Sequence, residues 1–245
     1  MSDPSRRKLI TTGLAAAAGV GGLAAAAKIA NRYRLIPPDH GGIYGPGETL
    51  TYASQRLLTR HSLAREFPRG QISTAPFANG KPPSDDAFRR LQADGFAEWR
   101  LEVNGMVARP GTFSLSDLKS FPASSQITQL TCEEGWNFIA EWTGAPLRDV
   151  LTRVGILPQA KYVVYFSFQP RWWHSIDMDD ALHPQTLLTY GMNGGELPIG
   201  HGGPLRLRVP RQLGYKSVKF INRLTVTDSL DQFWRKSSYS WYAGI

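Results

Sequence analysis

The sequence predicts a mixed α+β domain that is rich in strands and carries short helices. Three segments support this fold class. Trp99–Val107 alternates apolar and polar residues, as a half-buried strand does. Tyr162–Phe168 is an apolar and aromatic run of strand length, which is typical of a buried strand. Thr143–Ile156 repeats leucine and valine at the spacing of a helix that packs one face on a core.

The first 30 residues have the pattern of an export signal. Three cations, Arg6, Arg7 and Lys8, precede an uncharged, Ala/Gly-rich stretch from residue 9 to 27. Its short length and weak hydrophobicity argue against a transmembrane helix. The paired arginines favour a twin-arginine signal peptide over residues 1–30, with an ordinary secretory signal as the alternative. We therefore expect a periplasmic protein, anchored to the membrane where the signal stays uncleaved.

The next part of the chain is dominated by proline and glycine. Residues 31–50 are predicted to form an extended arm, and residues 51–245 a single domain. A short helix is expected around Gln55–Leu58. Pro68–Ser84 is a second segment too rich in proline and glycine for a regular element.

The remaining elements follow from local patterns. Asp85–Asp94 is predicted to be a helix, and Ser114 with Asp117 has the spacing of a capping box that starts another. Leu205–Val209 and Val218–Val226 are predicted strands, which make the C-terminal half strand-rich.

The spacing of residues and the absence of known motifs argue against several classes of protein. The five histidines lack the spacing of a zinc site, and no G-x-S-x-G elbow of a serine hydrolase occurs. The net charge of +8 is compatible with an anionic partner or with a need for solubility. Because the basic residues are scattered and export is expected, we predict no nucleic-acid function.

Cys132 is the single cysteine, so the chain cannot form an internal disulfide. It follows the strand-like run QITQLT and precedes a glycine-bearing aromatic turn. Three interpretations remain open at this point: a small buried residue, a nucleophile that requires a nearby histidine, or a thiolate ligand to a metal held mainly by a cofactor.

A basic segment near residue 210 is the second candidate site. In a strand Leu205–Val209, Arg206 and Arg208 share one face, and Lys216 and Lys219 follow shortly after Gly214. Guanidinium, ammonium and accessible amide groups suit a phosphate-bearing ligand. A solvated basic face explains the same pattern equally well.

Four motifs occur in order along the chain: LTCEEGW at 130–136, WTGAPLRDVL at 142–151, HPQTLLTYGMNGGELPIGHGGPLRLRVP at 183–210, and GYKSVKFI at 214–221. Together they resemble the sulfite oxidase family of molybdopterin-dependent oxidoreductases, most closely its bacterial, exported, single-domain members. The resemblance covers about residues 51–228. It implies the family's sulfite-oxidase-type molybdopterin-binding fold, which is mixed α+β.

The resemblance also implies a set of site residues. Cys132 would be the catalytic residue and the thiolate ligand of a molybdenum ion that a molybdopterin also binds. Ser167 matches a position near the metal, and Arg60 and His61 match a segment that borders the cofactor, although His61 stands where the family usually has asparagine. The residues implied to contact the pterin and its phosphate are His201, Arg206, Ser217, Val218 and Lys219.

The implied activity is two-electron oxygen-atom transfer. Asn137 stands five residues after the cysteine, where sulfite oxidases carry an arginine that holds the dianion. Its loss from a buried site costs about 1.5–3 kcal/mol of sulfite binding. We therefore predict the reduction of an organic S- or N-oxide, small or protein-bound, with sulfite dehydrogenation as the alternative. A binding protein for an anionic ligand, without catalysis, is the alternative of another class.

The resemblance implies two further properties. Members of this kind lack a cytochrome domain, so electrons are expected to pass to or from a separate haem protein. A soluble and a membrane-bound haem protein both fit this expectation. They also lack the dimerisation domain of true sulfite oxidases, so a monomer is expected.

Overall fold

The computed structural model describes residues 45–233 without a gap, together with residues 22, 25, 28–30, 32–39, 42, 239–242 and 244. Nearly all of the predicted signal peptide lies outside these residues, so it stays a prediction. The chain forms two compact units, Met1–Arg60 with Tyr239–Tyr242, and His61–Ser238 with Ala243–Ile245. In the described part of the chain, every helix is too short or too polar to cross a membrane.

The smaller unit contains helix α1, Pro46–Leu58. Its start corrects the prediction of an extended arm up to residue 50. A proline in the first turn is already set for helical φ, and Glu48 lies near the positive end of the helix. The guanidinium of Arg56 lies 5.1 Å from the ring centroid of Tyr52 and 4.8 Å from that of Tyr242, so cation–π contacts hold the helix to the C-terminal segment.

The larger unit is built on two five-stranded sheets, with the strand orders β2-β1-β10-β5-β6 and β3-β4-β7-β8, where β9 also pairs with β7. Strands β1 and β10 are parallel, and the other pairs are antiparallel. This arrangement confirms the mixed, strand-rich fold class. The strands are β1 Leu101–Gly105, β2 Gly111–Phe113, β3 Ser124–Thr131, β4 Asn137–Pro146, β5 Tyr162–Ser167, β6 Trp173–Asp177, β7 Leu187–Met192, β8 Gly195–Glu196, β9 Arg206–Arg208 and β10 Ile221–Thr227.

Four short helices accompany the sheets: α2 Asp86–Ala93, α3 Leu115–Lys119, α4 Leu147–Val154 and α5 Met178–Ala181. The side chain of Asp85 caps α2 by accepting a hydrogen bond from the Phe88 amide. Ser114 and Asp117 form the predicted capping box of α3, with both reciprocal hydrogen bonds present. Local polar chemistry therefore determines where these two helices begin.

The predicted helix Thr143–Ile156 is wrong in its first turn. Its apolar stripe is buried in the main core on α4, as predicted, but residues 143–146 belong to β4. A Cβ atom on Gly144 would lie 2.3 Å from the carbonyl oxygen of Leu188 in the neighbouring strand β7. This close approach fixes Gly144 in the sheet, and the helix begins only after Pro146.

The predicted strand Val218–Val226 is also shorter than expected. Strand β10 begins at Ile221, and Phe220 just before it has a φ of 56°, which is not compatible with a strand. The residues just before Phe220 therefore lie in a segment between β9 and β10 that is not part of a sheet.

Candidate active site

Cys132 lies in the turn that joins β3 to β4. Its amide donates to the Trp136 carbonyl at 2.9 Å, and its carbonyl accepts from the Gly135 amide at 3.1 Å. Gly135 has a φ of 93°, a conformation that glycine adopts without steric cost. The turn is therefore held by backbone bonds, and the cysteine side chain, 6% exposed, is not needed to form it.

The environment of the Cys132 thiol keeps it protonated in the protein without a metal. Burial raises its pKa to about 11, the nearby carboxylates of Glu133 and Glu134 add to the rise, and a backbone hydrogen bond from Glu134 opposes it. The Sγ atom donates to Glu133 Oε2 at 3.3 Å. A thiol with this pKa is a poor nucleophile at neutral pH, and a bound metal cation is the kind of partner that stabilises its thiolate.

A second part of the site joins the His201 loop to Lys219. Gly202 has a φ of 111°, and a Cβ atom there would lie 2.8 Å from the Cβ of Lys219. The Lys219 ammonium donates to the carbonyl of Gly200 at 2.6 Å and to the carbonyl of Asn79. Only a glycine at 202 allows these two segments to approach so closely.

Arg206 ties the same loop to Ser217. Its Nε donates to the Ser217 carbonyl at 2.9 Å and its Nη1 to the His201 carbonyl at 3.1 Å. The side chain is 5% exposed, and its guanidinium lies 5.5 Å from the ring centroid of Trp142. The predicted strand face carrying Arg206 is therefore buried, and the interpretation as a solvated basic face is wrong.

The cysteine turn and the basic segments meet at Gly214. A Cβ atom on Gly214 would lie 3.0 Å from Leu130 Cδ2 and 3.6 Å from the Cα of Cys132. The thiolate form of Cys132 raises the pKa of Arg206, so the two side chains lie within electrostatic reach of each other. The structure thus brings Cys132 together with residues much further along the chain, all of them predicted: His201, Arg206, Ser217, Val218 and Lys219.

The basic groups of this cluster are held in an environment that opposes their charge. Burial is the main cause in each case: it lowers the pKa of Arg206 to about 10, of Arg208 to about 9, of Lys219 to about 8 and of His201 to about 4. Repulsion by Arg206 adds to the effect at the other three. In the part of the chain that the structure describes, no carboxylate forms an ion pair with Arg206, Arg208 or Lys219.

Three other predicted residues lie at or beyond the edge of this cluster. Ser167 ends β5, is buried, and is opposite Ile221, two residues after Lys219. His61 is exposed. It lies near His183 and contributes to the lowered pKa of that residue. Arg60 is the last residue of the smaller unit and is exposed. The described contacts therefore place Ser167 beside the cluster but do not join His61 to it.

Aromatic side chains cover one side of the cysteine turn. Trp136 stacks on Phe138 with parallel rings 6.1 Å apart, and Phe77 contacts the edge of Trp136 at 5.1 Å. Phe138 in turn contacts His201, with ring centroids 5.5 Å apart. Asn137, between the two stacked residues in sequence, is exposed. This side of the site is therefore mainly aromatic, with the carboxylate of Glu134 at its edge, where it accepts a hydrogen bond from Trp136 Nε1 at 2.8 Å.

Two further residues belong to the site, and of these only Arg208 was named from the sequence, as part of the basic segment. Arg208 is fully buried beside Arg206, and Trp142 lies under both guanidinium groups, 5.3 Å from that of Arg208. The alternation LRLRV predicted that Arg208 shares a face with Arg206, as part of a segment suited to a phosphate-bearing ligand. Trp142 has no such pattern, because an aromatic residue in a buried strand is indistinguishable from ordinary core.

Comparison with known proteins identifies the family. The model of the oxidoreductase molybdopterin binding domain matches residues 89–234. The chain belongs to this family. Its membership confirms the predicted resemblance and makes the chain a molybdopterin-dependent oxidoreductase, so the alternative of a non-catalytic binding protein is wrong.

Individual relatives agree with this assignment. A putative protein-methionine-sulfoxide reductase subunit of Azospira oryzae is 39% identical over 189 residues, covering 77% of this chain and 70% of the relative. The protein-methionine-sulfoxide reductase catalytic subunit of Xanthomonas campestris is 34% identical over 188 residues, covering 69% of this chain and 58% of that protein. The chain thus spans little more than half of the second relative.

A solved structure supports the fold. The sulfane dehydrogenase SoxCD from Paracoccus pantotrophus superimposes with a TM-score of 0.52 and 26% identity, over 54% of this chain and 39% of that chain. This similarity confirms the sulfite-oxidase-type fold that was predicted.

The buried basic cluster fits a molybdopterin. The cofactor carries a phosphate, and buried cations without a carboxylate partner are stabilised by an anion that enters the site. Arg206, Ser217, Val218 and Lys219 are the residues that would hold it.

The titration of His201 gives a test of the cofactor-free protein. Its pKa is about 4 in the folded state, below the ordinary histidine value of 6.5, so between these values the unfolded chain binds a proton that the folded protein does not. The free energy of unfolding therefore falls as the pH falls from 6.5 towards 4, by up to roughly 3 kcal/mol. Urea denaturation at pH 7 and pH 4.5 measures this loss. The His201→Gln variant should lose less stability than the wild type, and parallel losses would contradict the lowered pKa.

Proposed function

We propose that the protein reduces an organic S-oxide by two-electron oxygen-atom transfer, at a molybdenum ion held by molybdopterin and by the Cys132 thiolate. The supporting observation is the meeting of one buried cysteine with a buried basic cluster that has no carboxylate partner among the described residues. A soft thiolate suits molybdenum, and the cations suit the pterin phosphate.

Each residue of the cluster has a separate task in this proposal. Cys132 supplies the protein's bond to the metal and tunes it electronically. Arg206 and Lys219 neutralise the pterin phosphate, and Val218 offers its backbone amide to it, next to Ser217, whose own amide and carbonyl are bonded to Gly214 and Arg206. When bound, the cofactor supplies the two-electron couple that accepts the oxygen atom. The aromatic side formed by Trp136 and Phe138 limits the access of water to the reacting group.

The choice of an S-oxide rests on charge and on the relatives. The position that carries a sulfite-binding arginine in sulfite oxidases holds the exposed amide Asn137. A neutral sulfoxide does not require a guanidinium, whereas the sulfite dianion does. Two relatives are named as methionine-sulfoxide reductase subunits, which favours a sulfoxide of methionine, free or within a protein. An N-oxide is a second substrate of the same charge.

The cellular setting belongs to the same proposal. The basic n-region followed by residues 9–27 supports export by the twin-arginine route to the periplasm. Reduction of a sulfoxide consumes two electrons and two protons and releases a thioether and water. We propose that a separate haem protein supplies these electrons and that the reductase acts as a monomer.

Metal analysis and a substrate panel test the proposed function. The purified full-length protein should contain molybdenum and molybdopterin in near-stoichiometric amounts. With a reduced viologen as electron donor it should reduce methionine sulfoxide, in peptides or free. Sulfite with an artificial acceptor should give turnover at least about tenfold lower, because a charge-assisted contact is missing. Faster oxidation of sulfite than reduction of any oxide would overturn the direction that we propose.

A further inference from the structure

Arg208 is a fully buried arginine that the proposed function does not use. We infer that Arg208 is a positioning residue, which fastens the Ser217 segment to the strand that leads to Cys132 and so fixes the width of the cofactor site. The inference rests on the proposed function, because it assigns a role toward the same cofactor.

The contacts of Arg208 run in two directions from β9. Its Nη1 donates to the hydroxyl of Ser217 at 3.3 Å. Its Nη2 donates to the hydroxyl of Thr128 at 3.3 Å and to the carbonyl of Gln129 at 2.5 Å. Thr128 and Gln129 lie on β3, which ends one residue before Cys132. One guanidinium therefore bridges the two segments between which the cofactor is proposed to bind.

Ser217 is held at its amide, its carbonyl and its hydroxyl, and the amide donates to the Gly214 carbonyl at 2.9 Å. Its carbonyl accepts from Arg206, and its hydroxyl accepts from Arg208 and from the Val209 amide at 3.1 Å. The two arginines differ in what else they contact. Arg206 reaches the His201 loop, whereas Arg208 reaches only across to β3. Arg208 thus acts on the distance between the Ser217 segment and the cysteine turn.

The bridge requires an arginine rather than any cation. A guanidinium is a planar fork that donates in several fixed directions, whereas a lysine ammonium is a point charge on a flexible stem. Lysine at 208 would keep the charge over Trp142 but reach at most one of the two segments. A lysine substitution therefore separates the bridging role from the charge.

Four variants of the full-length holoenzyme test the inference. Arg208→Lys removes the fork, and Thr128→Val removes one acceptor of the bridge without touching the Ser217 segment. Arg211→Lys is the matched control for a buried arginine, since Arg211 is 7% exposed and pairs with Asp180 at 3.5 Å. Thr189→Val is the control for a buried threonine, since the Thr189 hydroxyl has no hydrogen-bond partner among the described residues.

The first measurement is the rate at which molybdopterin leaves the protein, followed by fluorescence of the oxidised pterin. We expect release about tenfold faster in Arg208→Lys and a few-fold faster in Thr128→Val, from the weakening of charge-assisted hydrogen bonds. Both controls should release the pterin at the wild-type rate. The second measurement is the thiolate-to-molybdenum absorption at equal cofactor content. This band should shift in Arg208→Lys and stay unchanged in Arg211→Lys.

The outcomes separate this inference from the proposed function. Wild-type protein that contains no molybdopterin would refute the function itself. If the Arg208→Lys protein contains the cofactor, releases it at the wild-type rate and has an unchanged absorption band, only the role of Arg208 is refuted. If Arg208→Lys does not fold, Thr128→Val decides: release at the rate of Thr189→Val overturns the bridge, and faster release supports it.

Discussion

Substitution of Cys132 by serine is expected to abolish turnover and to leave the fold intact. The turn that carries this residue is held by backbone hydrogen bonds to Trp136 and Gly135, which serine keeps. Serine is similar in size, and burying its hydroxyl costs about 1–2 kcal/mol. Its oxygen is, however, a hard and weakly acidic donor that does not replace a thiolate on molybdenum.

The size of the effect follows from the position of the ligand. Removal of groups one step beyond a metal ligand costs about 10–100-fold in activity, so loss of the ligand itself should cost more than about 100-fold. The thiolate-to-molybdenum absorption should disappear, while the pterin content should fall much less than turnover because Arg206 and Lys219 are unchanged. Turnover within a factor of two of the wild type would disprove that Cys132 is the metal ligand.

The thermal unfolding curve provides the control for this variant. Cys132→Ser should unfold at a temperature close to that of the wild type when both are free of cofactor. A large decrease in that temperature would mean that the thiol stabilises the fold, and the loss of activity would then have a different cause.

Elements with local polar or apolar patterns were predictable from the sequence. The capping box at Ser114 and the apolar stripe of α4 depend on residues within a few positions of each other, and both are present as predicted. The first turn predicted for that helix failed for the opposite reason. Residues 143–146 are in β4 because Gly144 packs against Leu188, a contact that no local pattern reveals.

The same distinction holds for the site. The residues near Cys132 were predicted through ordered motifs, but their meeting at Gly214 depends on two sheets and several loops. Burial was the property that the sequence left open, since Arg206 and Arg208 fit a solvated face equally well. Burial also changes the chemistry, because a guanidinium without a carboxylate partner in a dry site favours an anion.

Substitution of Arg206 by methionine is expected to have opposite effects in the two states of the protein. Without the cofactor, the variant loses hydrogen bonds to the carbonyls of Ser217 and His201 but also loses a buried positive charge, whose burial lowers the pKa to about 10. Replacing a buried charge by an apolar side chain of similar volume is often close to neutral. The unfolding free energy of the cofactor-free protein should therefore change by no more than about 1–2 kcal/mol.

With the cofactor, the same substitution should be severe. Removing one partner from a buried ionic contact costs about 3–5 kcal/mol, which corresponds to a decrease in molybdopterin affinity of about 150–5,000-fold. Arg211→Met is the matched control, since Arg211 is equally buried and pairs with Asp180 outside the cluster. It should destabilise the cofactor-free protein by breaking that ion pair and should leave the affinity for the pterin unchanged.

Chemical denaturation of the cofactor-free variants and titration with molybdopterin measure the two effects separately. If Arg206 only supports the loops, Arg206→Met should lose stability and affinity for the pterin in the same proportion as Arg211→Met. If Arg206 instead binds the phosphate of the cofactor, the pattern is crossed: Arg211→Met loses more stability, and Arg206→Met loses more affinity for the pterin. We expect the crossed pattern, because Arg211 has a carboxylate partner and Arg206 has carbonyl partners that do not neutralise its charge.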